Sequence, residues 1–437
     1  MDSINVSNKL LSFIKACPSA FHTVSTVSKA LDDNGFIRLS ECDEWNIEQG
    51  GSYYVTRNQS SVIAFRIPNK KAPLPFMIAA AHSDSPSFKI KHNPESDTAG
   101  YIRINTEKYG GMLCSTWFDR PLSCAGRVTV IKDGKVKGTL VDLKRDLFMI
   151  PSVAIHMNRN ANEGATYNAA IDMQPICGST ATKGKFMSLI ADACECDVES
   201  IASTELFLYP NQDGSVWGID NEFVSSPRLD DLQCVYSGLV AITSATPTDA
   251  IPMLMVSDNE EVGSSTKQGA DSTFLHDTVA RINRALGGNC DSLSRIIASS
   301  FMVSADNAHA IHPNHPEYAD KCNAPIMNGG IVIKHSASQS YTTDAISAAI
   351  FESICKKADV PVQHFTNRSD MRGGSTLGNI SSTQLSINTV DIGLPQLAMH
   401  SCYETAGVKD TEYLIKAITS LYESSVKANC DGDYEVI

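Results

Sequence analysis

Five separate stretches of this sequence deliver side chains able to hold a cation or carry a proton. His82 and Asp84 follow the apolar run Pro75-Phe-Met-Ile-Ala-Ala-Ala81, and Asp258, Glu260 and Glu261 follow Pro252-Met-Leu-Met-Val256. Asp306 follows Ser300-Phe-Met-Val303, His400 follows Leu394-Pro-Gln-Leu-Ala-Met399, and Asp230 opens a helical pattern in Ser226-Pro-Arg-Leu-Asp-Asp231. In an open α/β sheet, ligands bind beyond the carboxyl ends of the strands, so polar residues just after buried runs are the ones brought together. Two imidazoles and three carboxylates suit a pair of borderline-hard divalent ions that share one carboxylate, and a further free carboxylate can act as base. His82 and Asp84 are two apart, so in extended chain they point the same way. A metal-bound imidazole wants a carboxylate on its other nitrogen, and Asp84 is expected to orient His82 from behind. Glu260 and Glu261, adjacent at a strand end, are expected to point apart, one towards metal and one towards water.

Each feature alone has an ordinary structural explanation. A lone histidine at a strand end is usually a hydrogen-bonded structural residue, a Glu-Glu pair is usually solvated, and Asp230 would serve as a helix N-cap. Their repeated delivery at one kind of position makes the joint site the better reading.

The elements that must position these residues are legible as periodicity. Leu10, Leu11, Phe13 and Ile14, then Val24, Val27 and Leu31, fall at helical spacing and predict two helices closed by Asn34-Gly35. Residues 52–56 and 61–67 alternate as strands do, whereas the run ending at Ala81 suits a strand buried on both faces. From about 92 to 224, short β-like runs such as Gly126-Arg-Val-Thr-Val-Ile131 are separated by Gly-rich turns, predicting an inserted, mainly β domain. From Leu229 onward strands and helices alternate, with buried strands predicted at 252–256, 300–303 and 330–333 and a helix over 344–358. The expected fold is therefore α/β, a mixed sheet covered by helices on both faces, with segments 1–91 and 225–437 forming one domain around the insertion.

Composition narrows the function classes. The 437 residues are 42% hydrophobic, enough for a large core, and the formal net charge of -13 disfavours nucleic acid or an anionic membrane as partner. The N-terminus lacks a basic segment followed by an apolar run, and no uninterrupted apolar stretch reaches a membrane span. The thirteen cysteines are odd in number, scattered, and without a Cys-x-x-Cys pair; Cys194-Glu-Cys196 reads as incidental. The expectation is a soluble cytoplasmic protein with reduced thiols.

At these residues the chain resembles the M18 metallopeptidases, the aspartyl aminopeptidase group. The resemblance runs in order through Ala81-His-Ser-Asp-Ser-Pro86, Ser115-Thr-Trp-Phe-Asp-Arg120, Pro227-Arg-Leu-Asp-Asp231, Asp258-Asn-Glu-Glu-Val-Gly-Ser264, Ser304-Ala-Asp-Asn-Ala-His-Ala-Ile-His-Pro313 and Pro395-Gln-Leu-Ala-Met-His-Ser401. It implies two divalent ions per subunit, zinc with manganese or cobalt as substitutes, and hydrolysis of peptides at a free N-terminus. His82, Asp230 and Asp306 would hold one ion, Asp230, Glu261 and His400 the other, with Glu260 the general base. It implies further that the insertion mediates dimerisation, that dimers build a tetrahedral homo-dodecamer, and that His156 serves the active site of a neighbouring subunit. From the residues alone, a buried structural histidine at a strand end is the favoured reading of His156.

Lys334, Tyr341 and His312 match family positions near the pocket for the first substrate residue, and a cation there favours Asp or Glu. The alternatives are a family member preferring neutral residues such as Leu, a dinuclear carboxypeptidase or amide deacylase, and a non-enzymatic assembly or cargo protein on the same fold. The segment from Asn367 to Gly378 also matches the family, and its Asp370 is given no catalytic role.

Overall fold

The structure, a computed structural model, describes residues 2–71, 73–371 and 373–437. Arg372 of the segment just named lies outside them.

The two N-terminal helices form where their apolar spacing predicts, at Ser3–Ala16 and Ala20–Asp33, and the second is closed by Asn34 before Gly35 at φ 78°. Behind them runs a nine-stranded mixed sheet. Its spatial order is Ile37–Leu39, Ser52–Arg57, Ser61–Arg66, Ile251–Ser257, Phe76–His82, Phe301–Ala305, Asn388–Gly393, Ile331–His335 and Val362–Thr366. The four strands from Ile251–Ser257 to Asn388–Gly393 are mutually parallel, so their carboxyl ends share one edge.

Continuous apolar sequence in these strands follows from double-sided burial. Along Phe76–His82, Met77, Ala79 and Ala81 join a core with helices Ser3–Ala16, Leu229–Ser244, Ala345–Lys357 and Asp410–Tyr422. Phe76, Ile78 and Ala80 join a second core with helix Phe274–Ala285 and Leu377. The period of two sends alternate side chains to opposite layers, giving an α/β sheet covered by helices on both faces, as expected.

A separate six-stranded sheet draws all its strands from Ser87 to Pro210, in the order Lys135–Asp142, Leu122–Lys132, Ile201–Pro210, Ser87–Thr98, Tyr101–Tyr109 and Ile176–Ser179. Phe88, Ile104, Trp117, Leu122 and Val128 pack beneath it with Phe186 and Ile190 of helix Lys185–Cys194. The hairpin Ser215–Trp217 and Phe223–Ser226 pairs instead with Glu404–Gly407 in a third, small sheet. Among the described residues no helix is long and apolar enough to cross a membrane, and the cysteines are free thiols.

Candidate metal centre

The shared strand edge brings the acidic and imidazole side chains together. His82 ends its strand, buried, in register with Ser257, so the loop that follows Ser257 rises beside it. That loop turns through Asn259 at φ 63° into one 3-10 turn, Glu260–Val262. Glu260 and Glu261 sit on a tight turn rather than on a strand end, and instead of pointing apart as expected each brings a carboxylate oxygen within 4.8 Å of the other and of a His82 ring nitrogen. Asp306 directly follows Phe301–Ala305, held by its N–H to the Ile392 carbonyl at 3.0 Å. Asp230 lies in the first turn of Leu229–Ser244 with non-helical angles, and its peptide bond to Asp231 is cis. His400, at φ 64°, donates its N–H to Glu404 Oε1 at 2.8 Å.

His82 Nε2 lies 3.5 Å from Asp230 Oδ1, and His400 Nε2 lies 3.5 Å from Asp230 Oδ2 and 3.4 Å from Glu261 Oε2. Three sets of donor atoms fall within 4.8 Å of one another: His82, Asp230, Asp231 and Asp306; His82, Glu260 and Glu261; and Asp230, Glu261 and His400. Asp230 Oδ1, Asp231 Oδ1 and Glu261 Oε1 are buried without any hydrogen-bond partner. Buried carboxylate oxygens left without a partner beside imidazole nitrogens, as Asp230 Oδ1 is beside His82 Nε2, are the donors a divalent cation takes.

The electrostatics say the same. Burial and then neighbouring carboxylates set against His82 push the Glu260 carboxyl up to about 8, and burial with Lys334 opposing brings Asp306 to about 6. Glu261 and Asp231 are also held well above the usual carboxylate range, first by burial. Asp230 goes the other way: burial opposes ionisation, but His400 and His82 outweigh it and keep the group ionised. His82 is raised despite burial because Asp231, Asp230 and Asp84 surround it. So many acids at close range repel one another unless protons or cations intervene.

Asp84 holds His82 by a mixed geometry. Its backbone carbonyl sits 3.1 Å from His82 Nδ1, its Oδ1 stands at 3.5 Å, and its carboxylate accepts the Glu260 and Glu261 N–H groups at 3.2 Å each. Lys334 and Tyr341 line a pocket of about 320 Å³ above the cluster with Glu260, Asp306, Met399 and His400. His312 lines an adjoining pocket of about 270 Å³ that shares His309, Phe365 and Gly374 with the first. His156 lies exposed in the irregular stretch after Ile150 and lines neither pocket.

Three residues at the site escaped the sequence reading. Asp231 accepts the His82 N–H at 3.1 Å, and only its adjacency to Asp230 hinted at this. Glu404 accepts the N–H groups of both Asp230 and His400, from a stretch with no apolar run to announce it. His309, visible just past Asp306, lines the first pocket, where His312 was expected.

The model of the aminopeptidase I zinc metalloprotease (M18) family matches residues 13–422. The chain belongs to the M18 family. It is a metal-dependent aminopeptidase, and similar M18 proteins span its length. A probable M18 family aminopeptidase 2 of Clostridium novyi is 47% identical over 96% of this chain and 99% of its own, and one of Pseudomonas savastanoi is 41% identical over 96% and 98%. Among solved structures, a chain of the Ape4 and Nbr1 complex has 36% identity and a TM-score of 0.92 over 96% of this chain and 85% of its own. The mApe1 dodecamer of S. cerevisiae has 27% identity and a TM-score of 0.82 over 97% of each chain.

Proposed function

We propose that this M18 aminopeptidase releases single N-terminal residues from peptides with two divalent ions, in the first instance zinc. His82, Asp230 and Asp306 hold one ion, and Asp230, Glu261 and His400 hold the other. Asp230 carries this reading: its two oxygens face two different imidazoles, each at 3.5 Å, the disposition of a bridging carboxylate. Asp231 is taken as a support, its Oδ2 accepting the His82 N–H while its partnerless Oδ1 stands beside the same donors. When bound, such ions lower the pKa of a water towards neutrality and polarise a carbonyl oxygen. Glu260 is the residue in the pocket wall free to take the proton of the attacking water and pass it to the departing amine.

Substrate preference is assigned to acidic first residues. Lys334 is the support, a buried ammonium group in the pocket wall at 3% exposure, with the Tyr341 ring 5.5 Å away. A leucine-preferring M18 enzyme is the competing reading.

The catalytic unit is taken as 1–91 with 225–437, and 92–224 as the dimerisation unit. The segment after Ile150 exposes Val153, Ile155, Met157 and Ile171, an apolar surface suited to another copy of the chain, and His156 lies within it. On this basis dimers assemble into a tetrahedral dodecamer in which His156 reaches a neighbour's site and steadies the developing oxyanion. The free thiols support a cytoplasmic setting.

The deciding experiment is metal analysis of purified protein together with hydrolysis of an aminoacyl substrate panel, with and without chelator. Two equivalents of metal and chelator-sensitive release from free, but not N-acetylated, peptides are expected. Metal-independent cleavage, or cleavage of N-acetylated peptides, defeats the reading.

A further inference from the structure

The end of strand Tyr101–Tyr109, which belongs to the six-stranded sheet, reaches back into the cluster of its own chain. The Tyr109 hydroxyl is 2.6 Å from Asp84 Oδ2, and Asn259 Nδ2 is 2.9 Å from the Tyr109 oxygen. The direction of the bonds is fixed by counting donors. Thr266 Oγ1 and Gln268 Nε2 both donate to Asn259 Oδ1, at 2.9 and 2.8 Å, so the Asn259 NH₂ is turned to Tyr109. A phenol that accepts from Asn259 has its single proton left for Asp84.

Asp84 is thereby held at every point. Its carboxylate grips the backbone N–H groups of Glu260 and Glu261, and its carbonyl meets His82 Nδ1. Beyond Tyr109 the chain continues to Gly111, whose carbonyl lies 2.7 Å from His400 Nδ1 and turns His400 Nε2 towards Asp230 and Glu261. Between them Gly110, at φ 77°, passes so close to Glu261 that a Cβ would lie 3.1 Å from the Glu261 Cβ. Only glycine takes that conformation freely while leaving the approach open.

We propose that Tyr109 is a positioning residue of the metal centre, acting through Asp84, so that the inserted sheet braces the site of its own chain. The inference rests on the two-ion reading above. Loss of a group hydrogen-bonded directly to a metal ligand commonly costs roughly 10- to 100-fold in metal affinity, and Tyr109, which acts one bond further out through Asp84 and borders a cavity of about 300 Å³ from which water can replace its hydroxyl, falls at the low end of that range.

The test is the chelator concentration that strips half the zinc from metal-loaded protein, read with a chromogenic chelator under conditions where circular dichroism shows folded protein. Tyr109→Phe keeps the ring, which packs edge-on to Phe207 at a centroid distance of 5.4 Å. It should lower that midpoint about ten-fold. Phe207→Leu, which loosens the ring contact and leaves the hydroxyl, should keep the wild-type midpoint. An unchanged midpoint in Tyr109→Phe overturns the proposal, and so does an equal fall in both variants, which would assign the effect to packing alone. Wild-type protein that takes up no metal would instead remove the site reading, and the brace with it.

Discussion

Lys334 Nζ stands 3.6 Å from Asp306 Oδ2, and both side chains are buried at the edge of the same pocket. The lysine stays charged because Asp306, Tyr341 and Asp391 outweigh the burial that opposes it. Its partner is assigned to metal, which leaves the ammonium group able to recognise a second anion.

Lys334→Ala should therefore act on substrate choice. A hydrogen bond to a charged group is worth about 1.5–3 kcal/mol, so kcat/KM for Asp- and Glu-linked chromogenic substrates should fall roughly 10- to 150-fold. The Leu-linked substrate should change little. Leu preferred by both proteins would end the acidic assignment.

Glu260→Gln keeps the size of the side chain and removes the proton acceptor. Turnover should drop by roughly 100- to 10,000-fold while metal content stays at the wild-type level. Full activity in this variant would take the base role from Glu260.

His156 can be tested by mixing subunits. His156→Ala and Glu260→Gln should each be poorly active alone, and co-refolding or co-expression should restore part of the activity, because a site with an intact Glu260 would receive His156 from the other chain. No recovery at any mixing ratio would confine each active site to one subunit.

The pH dependence of stability should depend on metal. Glu260 and Asp306 have folded-state values raised to about 8 and about 6, and His400 is raised to about 10 by Asp230 and Glu261 against burial. Groups raised in the folded state contribute stability that is complete at low pH and lost as pH climbs through those values. Chelated protein should therefore melt at steadily lower temperature between pH 5 and about 9. Metal-loaded protein should show a shallower slope, keeping what Asp410, raised to about 7 by burial away from the cluster, contributes. Equal slopes in calorimetry would mean that the cluster holds no cation.

The sequence made some of this visible and hid the rest for identifiable reasons. Strands such as Phe76–His82 were readable because two covered faces demand unbroken apolar sequence, and the residues after them could be nominated because parallel strands share an edge. Asp231, Glu404 and Tyr109 were not readable. They act through hydrogen bonds to groups distant in sequence, and no periodicity records such a contact. The turn at Glu260–Val262 was missed for a different reason: it is a single turn, too short for any periodicity, flanked by Asn259 and Gly263 at positive φ.

The chain leaves the nine-stranded sheet at His82, passes through the six-stranded sheet and the hairpin of the small third sheet, and enters helix Leu229–Ser244 at Asp230 before rejoining the first sheet at Ile251. Both crossing points of the excursion thus lie next to facing members of the cluster, and the Tyr109 to Gly111 corner touches the cluster from the far side. Swinging one body against the other would work as a lever on His82 and Asp230 and pull them out of reach.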